Sequence, residues 1–210
     1  MEALDKKDKL VATSTMAVYC FDIIISSLRR KNPPPCPDTI VNDKVPIFIT
    51  WKKASNHHLR GCIGTFSRDL PLRNGLLDYA KTSAFHDSRF QPISLNEVSS
   101  LQCGVSLLIE FEKARNYLDW DVGIHGIRIE FYYNGRRLSA VYLPEVAVEQ
   151  GWNQIDTVDH LMRKGGYEGP IYEEDRLAIS VEKFKSSKVI VTYKDYCKLK
   201  QKAGEEIIPL

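Results

Sequence analysis

The alternation of apolar and polar side chains between Leu101 and Phe111 constrains the fold more than any other feature of the chain. Apolar residues occupy every second position, and the positions between them are mostly polar or small. Successive side chains of a β-strand point to opposite faces of the sheet, so this period of two predicts a long strand with one buried face. Further strands and helices must cover that face.

Two hairpins are predicted around this strand. Asn134-Gly135 lies between apolar runs at 127–131 and 138–143, which is a strong signal for a type I′ turn. A β-rich run at 47–51 is followed by a polar stretch and then by the hexapeptide Leu-Arg-Gly-Cys-Ile-Gly at 59–64, here called the 59–64 segment. This order predicts a second hairpin that has the 59–64 segment as its returning strand.

Helical periodicity appears between the predicted strands. An apolar stripe predicts a helix over 10–28, which the proline-rich stretch at 32–37 ends. A second helix is predicted from Pro71, and Thr192 with Asp195 predicts the cap of a closing helix. Late strands are predicted at 179–184 and 189–191. The pattern indicates an α+β fold with largely antiparallel sheets and helices packed on them.

The 210 residues suffice for a sizeable core, in one domain or in two small subdomains. We predict a flexible tail at 1–8, a single domain over 9–202, and a second flexible tail at 203–210. The charge is nearly balanced, with 29 basic and 27 acidic residues, which disfavours nucleic-acid binding without excluding it. Five scattered cysteines and the lack of a membrane-length apolar run favour free thiols in an intracellular protein with no membrane partner.

The 59–64 segment carries the most chemistry. Strict alternation would place Arg60, Cys62 and Gly64 on one face of the strand. The opposite face would then carry Leu59, Gly61 and Ile63. A guanidinium beside the thiol would favour the thiolate, and Gly64 would leave that face open to a ligand. Cys62 is therefore a candidate nucleophile, while the alternative is a small, buried apolar side chain. His58 is too distant to be its base, roughly 13 Å along a straight strand.

Other candidate residues lie elsewhere in the chain. His86 and His125 are candidate bases for Cys62, although a helix-end cap and a turn, respectively, are the more common settings for such histidines. Arg89 is expected to pair with the neighbouring Asp87 at the helix end. Tyr142 and Glu145 flank a proline and are candidate cleft residues. His57 and His58 are adjacent without a second ligand pair, so no metal site is predicted.

The chain resembles the AMMECR-type domain family in its eukaryotic form. The resemblance covers roughly 10–200 and is carried by motifs at 59–64, 87–90, 117–120, 126–131, 142–147 and 163–167. It implies an α+β fold of two tightly packed two-layer subdomains and an intracellular protein of the cytoplasm or nucleus. It implies no settled activity, substrate or cofactor, so no cofactor is expected.

Two functions therefore remain open. The first is a regulatory or binding module for a protein or small-molecule partner, with a cleft around the 59–64 segment and binding residues Arg60, Gly61, Gly64, Arg89, Tyr142 and Glu145. The second is an enzyme in which Cys62 attacks an anionic or carbonyl small substrate or a nucleotide, assisted by His125 or His86. We favour the binding module because no second catalytic residue can be placed. The oligomeric state stays open.

Overall fold

The computed structural model describes residues 10–210, and the expected flexible tail at 1–8 lies outside the described residues. The strands are β1 (Ile47–Lys53), β2 (Leu59–Thr65), β3 (Leu101–Lys113), β4 (Gly126–Tyr133), β5 (Arg136–Tyr142) and β6 (Ser180–Thr192). The helices are α1 (Ser14–Leu28), α2 (Leu72–Phe85), α3 (Pro144–Gln150), α4 (Gln154–Lys164), α5 (Glu173–Ala178) and α6 (Tyr193–Ala203), with a 3-10 helix at Leu95–Ser100. The fold is α+β, as the sequence predicts.

Hydrogen bonds order the strands β2-β1-β3-β6-β4-β5. The chain divides into two compact units: unit 1 runs up to Leu107 and resumes at Ser187, and unit 2 comprises Leu108–Ser186. Strands β3 and β6 each contribute residues to both units. The two late strands expected near 179–184 and 189–191 are therefore a single strand, β6, and helix α5 was not expected from the sequence.

In unit 1, β1 pairs antiparallel with both β2 and β3. Apolar side chains on one face of β1 and β3 are buried, and among them is Trp51, whose indole N–H donates to Ser83 Oγ of α2 at 3.0 Å. The alternating apolar residues of β3 lie on the same face, as predicted. The other face differs from the prediction, because Gln102, Gly104 and Ser106 are buried as well. Strand β3 lies between β1 and β6, and the side chains of Thr50 and Ile190 from these two strands lie beside Gly104.

Helix signals in unit 1 are confirmed. Helix α2 begins one residue after the predicted Pro71, and its buried side includes Leu72, Leu76 and Ala80, which recur at helical spacing. The Thr192 side chain accepts a hydrogen bond from the Asp195 amide at the start of α6, at 3.1 Å. These contacts are local, so a few neighbouring residues suffice to encode them.

Unit 2 is built around the β4–β5 hairpin. Asn134 and Gly135 both have positive φ, at 50° and 72°, which confirms the predicted type I′ turn. Inward side chains of β4 pack with those of α4 in one apolar core, which includes Ile129, Phe131 and Leu161. Among residues 10–210, no helix is long and apolar enough to cross a bilayer.

Candidate functional site

The 59–64 segment lies on β2, at the edge of the strand order. Trp51 pairs with Gly61 but Lys52 pairs with Leu59, so Arg60 is an extra residue in a β-bulge. Because cross-strand partners share a face, Leu59 lies on the face of Lys52 instead of the face of Gly61. The strict alternation expected for the segment is therefore wrong at its first residue.

The sulfur of Cys62 contacts the hydroxyl of its cross-strand partner Thr50, with 3.2 Å between Sγ and Oγ1. The backbone of Cys62 is bound on its other side. Its N–H donates to Asp87 Oδ2 at 2.9 Å, and its carbonyl accepts from Arg89 Nη2 at 3.1 Å. The Asp87–Arg89 pair thus binds the outer edge of β2 as a neighbouring strand would.

Asp87 and Arg89 form a forked ion pair, as the sequence predicts. Arg89 Nε lies 2.9 Å from Asp87 Oδ1, and Arg89 Nη2 lies 2.7 Å from Oδ2. The Asp87 side chain is 3% exposed. The hydrogen bonds from Arg89, with a smaller contribution from the Cys62 N–H, hold the pKa of the Asp87 carboxyl well below its usual range.

Arg60 forms a second forked pair, with Glu97 of the 3-10 helix. Its Nε and Nη2 atoms lie 2.9 and 3.2 Å from the two carboxylate oxygens. Lys53 binds the same carboxylate at 2.8 Å. Hydrogen bonding to Arg60, followed by that to Lys53, lowers the pKa of Glu97 to about 2. The Arg60 charge is therefore compensated by Glu97, and these contacts do not direct it to the Cys62 thiol as expected.

The two glycines of the segment lie in close contact with neighbouring residues. A Cβ atom on Gly61 would lie 1.8 Å from the backbone oxygen of Ser83, so β2 touches α2 at this point. A Cβ on Gly64 would lie 2.5 Å from the ring of Phe48. The space beside Gly64 is therefore filled, and the expectation that this glycine leaves the face open to a ligand is wrong.

The candidate bases lie in different places. His86 is exposed at the C-terminus of α2 in unit 1. His125 belongs to unit 2, where its Nδ1 accepts the backbone N–H of Asp121 at 3.0 Å within a turn. In the described part of the chain, neither imidazole hydrogen-bonds the Cys62 sulfur. Their catalytic roles remain predictions.

Tyr142 and Glu145 also belong to unit 2. The ammonium of Lys164 lies 4.6 Å from the centre of the Tyr142 ring, and the Trp152 ring lies at 5.8 Å. Burial raises the pKa of the Tyr142 hydroxyl. Among residues 10–210, no group of three or more potential metal ligands is found.

A pocket of about 300 Å³ opens on the face of unit 1 that carries Thr50. The amide side chain of Gln102 lies in its wall, and this residue is only 6% exposed. Among the described residues, that amide has no hydrogen-bond partner. Sequence reasoning missed this residue, because the alternation assigned it to a polar, uncovered face. The lining residues are Thr50, Lys52, His57, Gln102, Gly104, Lys188 and Ile190.

Comparison with known proteins places the chain in a family. The AMMECR1 family model matches residues 17–189. Uncharacterised protein At2g38710 of Arabidopsis thaliana is 45% identical over 190 residues, covering 88% of this chain and 87% of its own. Uncharacterised protein C688.03c of Schizosaccharomyces pombe is 40% identical over 189 residues, which cover 85% of this chain and 92% of the relative.

A solved structure has the same fold. Uncharacterised protein PH0010 of Pyrococcus horikoshii superposes with a TM-score of 0.68 at 25% identity, covering 83% of this chain and 89% of that one. The names of these relatives assign no activity, and no specific activity is established for the domain. The match of the family model over most of the chain, with the relatives in plants and yeast, shows that this chain belongs to the AMMECR1 family.

Proposed function

We propose that this protein is a binding module that takes a small molecule in the pocket beside the Thr50–Cys62 pair. One observation carries the proposal: the Gln102 amide lies in the wall of this pocket, and none of the described residues forms a hydrogen bond with it. An amide that no protein group pairs can donate to and accept from a ligand that enters the pocket. The pocket is thus a better candidate for binding than a merely irregular surface.

The placement of the pocket supports the same function. Thr50, Gln102 and Ile190 come from strands β1, β3 and β6, so regular hydrogen-bonded strands hold them in position. Sites built on strands are positioned more accurately than sites on loops. Thr50 also contacts Cys62, which connects the pocket to the 59–64 segment.

The contacts of Cys62 support binding over catalysis. A nucleophilic thiol needs a base within hydrogen-bond reach. In the described residues, the sulfur instead contacts the neutral hydroxyl of Thr50. The nearby charged side chains of Asp87 and Arg89 bind the backbone N–H and carbonyl of Cys62, not its sulfur. The enzyme with Cys62 as nucleophile is the alternative.

We place this binding module inside the cell, in the cytoplasm or nucleus. All five cysteines are free, including the fully buried Cys20 and Cys103, which suits a reducing compartment.

Fragment titration monitored by nuclear magnetic resonance tests the proposal. Binding of small aromatic fragments, charged and neutral, should shift the backbone amide signals of Thr50, Gly104 and Ile190. A Cβ on Gly104 would meet nothing closer than 3.6 Å, so Gly104→Val should fold and fill the pocket with its branched side chain. The shifts should disappear in this variant. Absence of fragment binding at these amides, or binding unchanged by Gly104→Val, would contradict the proposal.

A further inference from the structure

We infer that the outer edge of strand β5 binds an extended acidic segment of a partner protein, which joins the sheet as a further strand. This edge belongs to unit 2, whereas the residues that line the proposed pocket belong to unit 1. The backbone groups that the edge exposes and the charges at its two ends point to such a partner.

Strand β5 is the last strand in the order β2-β1-β3-β6-β4-β5, so only one of its edges is paired within residues 10–210. The opposite end of the order differs, because the side chains of Asp87 and Arg89 bind the outer edge of β2. On β5, the one contact of this kind among the described residues runs from Lys164 Nζ to the carbonyl of Val141, at 2.9 Å. An edge strand with unpaired backbone groups is a template on which another chain can pair.

The two-residue turn at Asn134-Gly135 fixes which backbone groups of β5 face outward. In such a hairpin the residues that flank the turn exchange hydrogen bonds, and bonded pairs then alternate with unbonded pairs along the ladder. The N–H and C=O groups of Arg137, Ser139 and Val141 therefore point away from β4. The bond that the Val141 carbonyl accepts from Lys164 agrees with this assignment.

The outward groups in the middle of β5 are accessible. Arg137 and Ser139 are both exposed, and outside the ladder with β4 no described residue bonds their backbone. An extended segment can therefore pair with the N–H and C=O of each residue. The side chain of Ser139 is small and leaves room for that segment. In strand addition of this kind, main-chain hydrogen bonds supply the affinity.

The charges at the two ends of the edge favour an acidic segment. Arg136 begins the strand and forms no ion pair among the described residues. Lys164 lies at the other end, where its ammonium contacts the Val141 carbonyl and an aromatic ring, but no carboxylate within residues 10–210. Arg137 differs from both, because Glu130 binds its guanidinium. Cations at both ends of an edge attract a segment that carries carboxylates.

A second copy of this chain fits the edge less well. Antiparallel pairing of two β5 strands about Ser139 would place Arg137 of one copy opposite Val141 of the other, whose carbonyl Lys164 binds. Two cations would then meet at each end of the pairing. Like charges placed opposite one another destabilise a pair of strands, so the edge favours a partner of opposite charge.

Titration of the full chain with three blocked heptapeptides, each as long as β5, tests the inference by nuclear magnetic resonance. The first peptide alternates valine and threonine between two terminal glutamates, and the second has lysines in place of the glutamates. The third is the first peptide with every inner amide N-methylated. We expect the first peptide to shift the amide signals of Arg137, Ser139 and Val141. The second should bind about tenfold more weakly, and the third should not bind.

Two substitutions at one position separate backbone pairing from side-chain effects. Ser139→Pro removes an N–H that faces away from β4, so the ladder is kept and the chain should fold. This variant should not bind the first peptide. Ser139→Thr keeps the N–H and should bind it with an affinity within about twofold of the wild-type value.

A second pair of substitutions tests the charge. Arg136→Gln should weaken binding of the first peptide about threefold. Lys194→Gln removes the same charge from an exposed residue of α6 in unit 1 and should leave the affinity unchanged.

The outcomes that contradict the inference are distinct. Equal binding of the glutamate and lysine peptides would overturn the acidic partner. Binding of the N-methylated peptide, or unchanged binding by folded Ser139→Pro, would overturn the pairing at β5, and the N-methylated peptide decides this point if Ser139→Pro does not fold. Self-association of the wild type in sedimentation velocity that Ser139→Pro abolishes would assign the edge to a second copy instead. If no peptide shifts the β5 amides, this inference is wrong and the proposed pocket is unaffected.

Discussion

The carboxylate of Asp87 binds the backbone N–H of Cys62, 25 residues earlier in the chain, at 2.9 Å. Arg89 completes the contact by donating to the Cys62 carbonyl. An edge strand exposes unpaired backbone groups that invite association with other chains, and covering them protects the fold. The residues at 87–90 and the 59–64 segment, two motifs of the family resemblance, are therefore parts of one structural unit.

Removal of the Asp87 carboxylate should destabilise unit 1. Asp87→Ala leaves the Cys62 N–H without its partner and removes the forked pair with Arg89. We expect the free energy of unfolding to fall by about 2 kcal/mol in urea titrations. Asp78→Ala, at an exposed carboxylate of α2, is the matched control and should change it by less than about 0.5 kcal/mol. Equal effects of the two variants would show that the contact with β2 contributes little.

Stability should depend on pH through Glu97. Its pKa is lowered from 4.5 to about 2 in the folded state, mainly by Arg60. The folded state thus prefers the ionised carboxylate, so this contribution is complete above pH 4.5 and is lost as the pH falls toward about 2. Urea unfolding across this range should show a smaller loss of stability for Glu97→Gln than for the wild type. Parallel curves for the two proteins would refute the assignment.

The two glycines Gly61 and Gly104 should respond differently to alanine. In Gly61→Ala the new methyl would lie 1.8 Å from the Ser83 oxygen, so β2 and α2 must separate. We expect a loss of about 3 kcal/mol or more. In Gly104→Ala the nearest atom is 3.6 Å away, an ordinary contact, and the change should stay within about 1 kcal/mol. Thermal unfolding of both variants tests this; similar melting temperatures would contradict the close approach at Gly61.

Cys62→Ser should preserve both the fold and ligand binding. The serine hydroxyl can keep a hydrogen bond with Thr50, which is the contact that the thiol makes. We expect the free energy of unfolding to stay within about 1 kcal/mol of the wild-type value. The affinities for the small aromatic fragments of the binding test should stay within about twofold of the wild-type values. Any turnover of a carbonyl or anionic substrate that the wild type shows and this variant lacks would favour the alternative, in which Cys62 is a nucleophile.

Local patterns in the sequence predicted much of the fold. The alternation in 101–111, the Asn134-Gly135 turn and the Thr192 cap each depend on residues within a few positions of one another. Such signals need no knowledge of the rest of the chain. The sequence did not predict that β6 is one continuous strand, because the polar residues in its middle interrupt the apolar pattern.

The site was less accessible to sequence reasoning. Arg60 next to Cys62 suggested thiol activation, but the guanidinium pairs with Glu97, and Gly64 suggested an open face that the Phe48 ring fills. Each error has the same source. Neighbours along a strand show which groups share a face, but they do not show which distant side chain competes for them.

The sequence by itself determined the type of most elements, the hairpin turn and the family. The tertiary structure decided what the 59–64 segment contacts, since the bulge at Arg60 and the edge contact from Asp87 depend on strand register and on the end of α2. It also decided where the pocket lies, because Thr50, Gln102 and Ile190 meet only when β1, β3 and β6 are ordered in the sheet. Periodicity is a local property of a chain, whereas a binding site is formed by residues that only folding brings together.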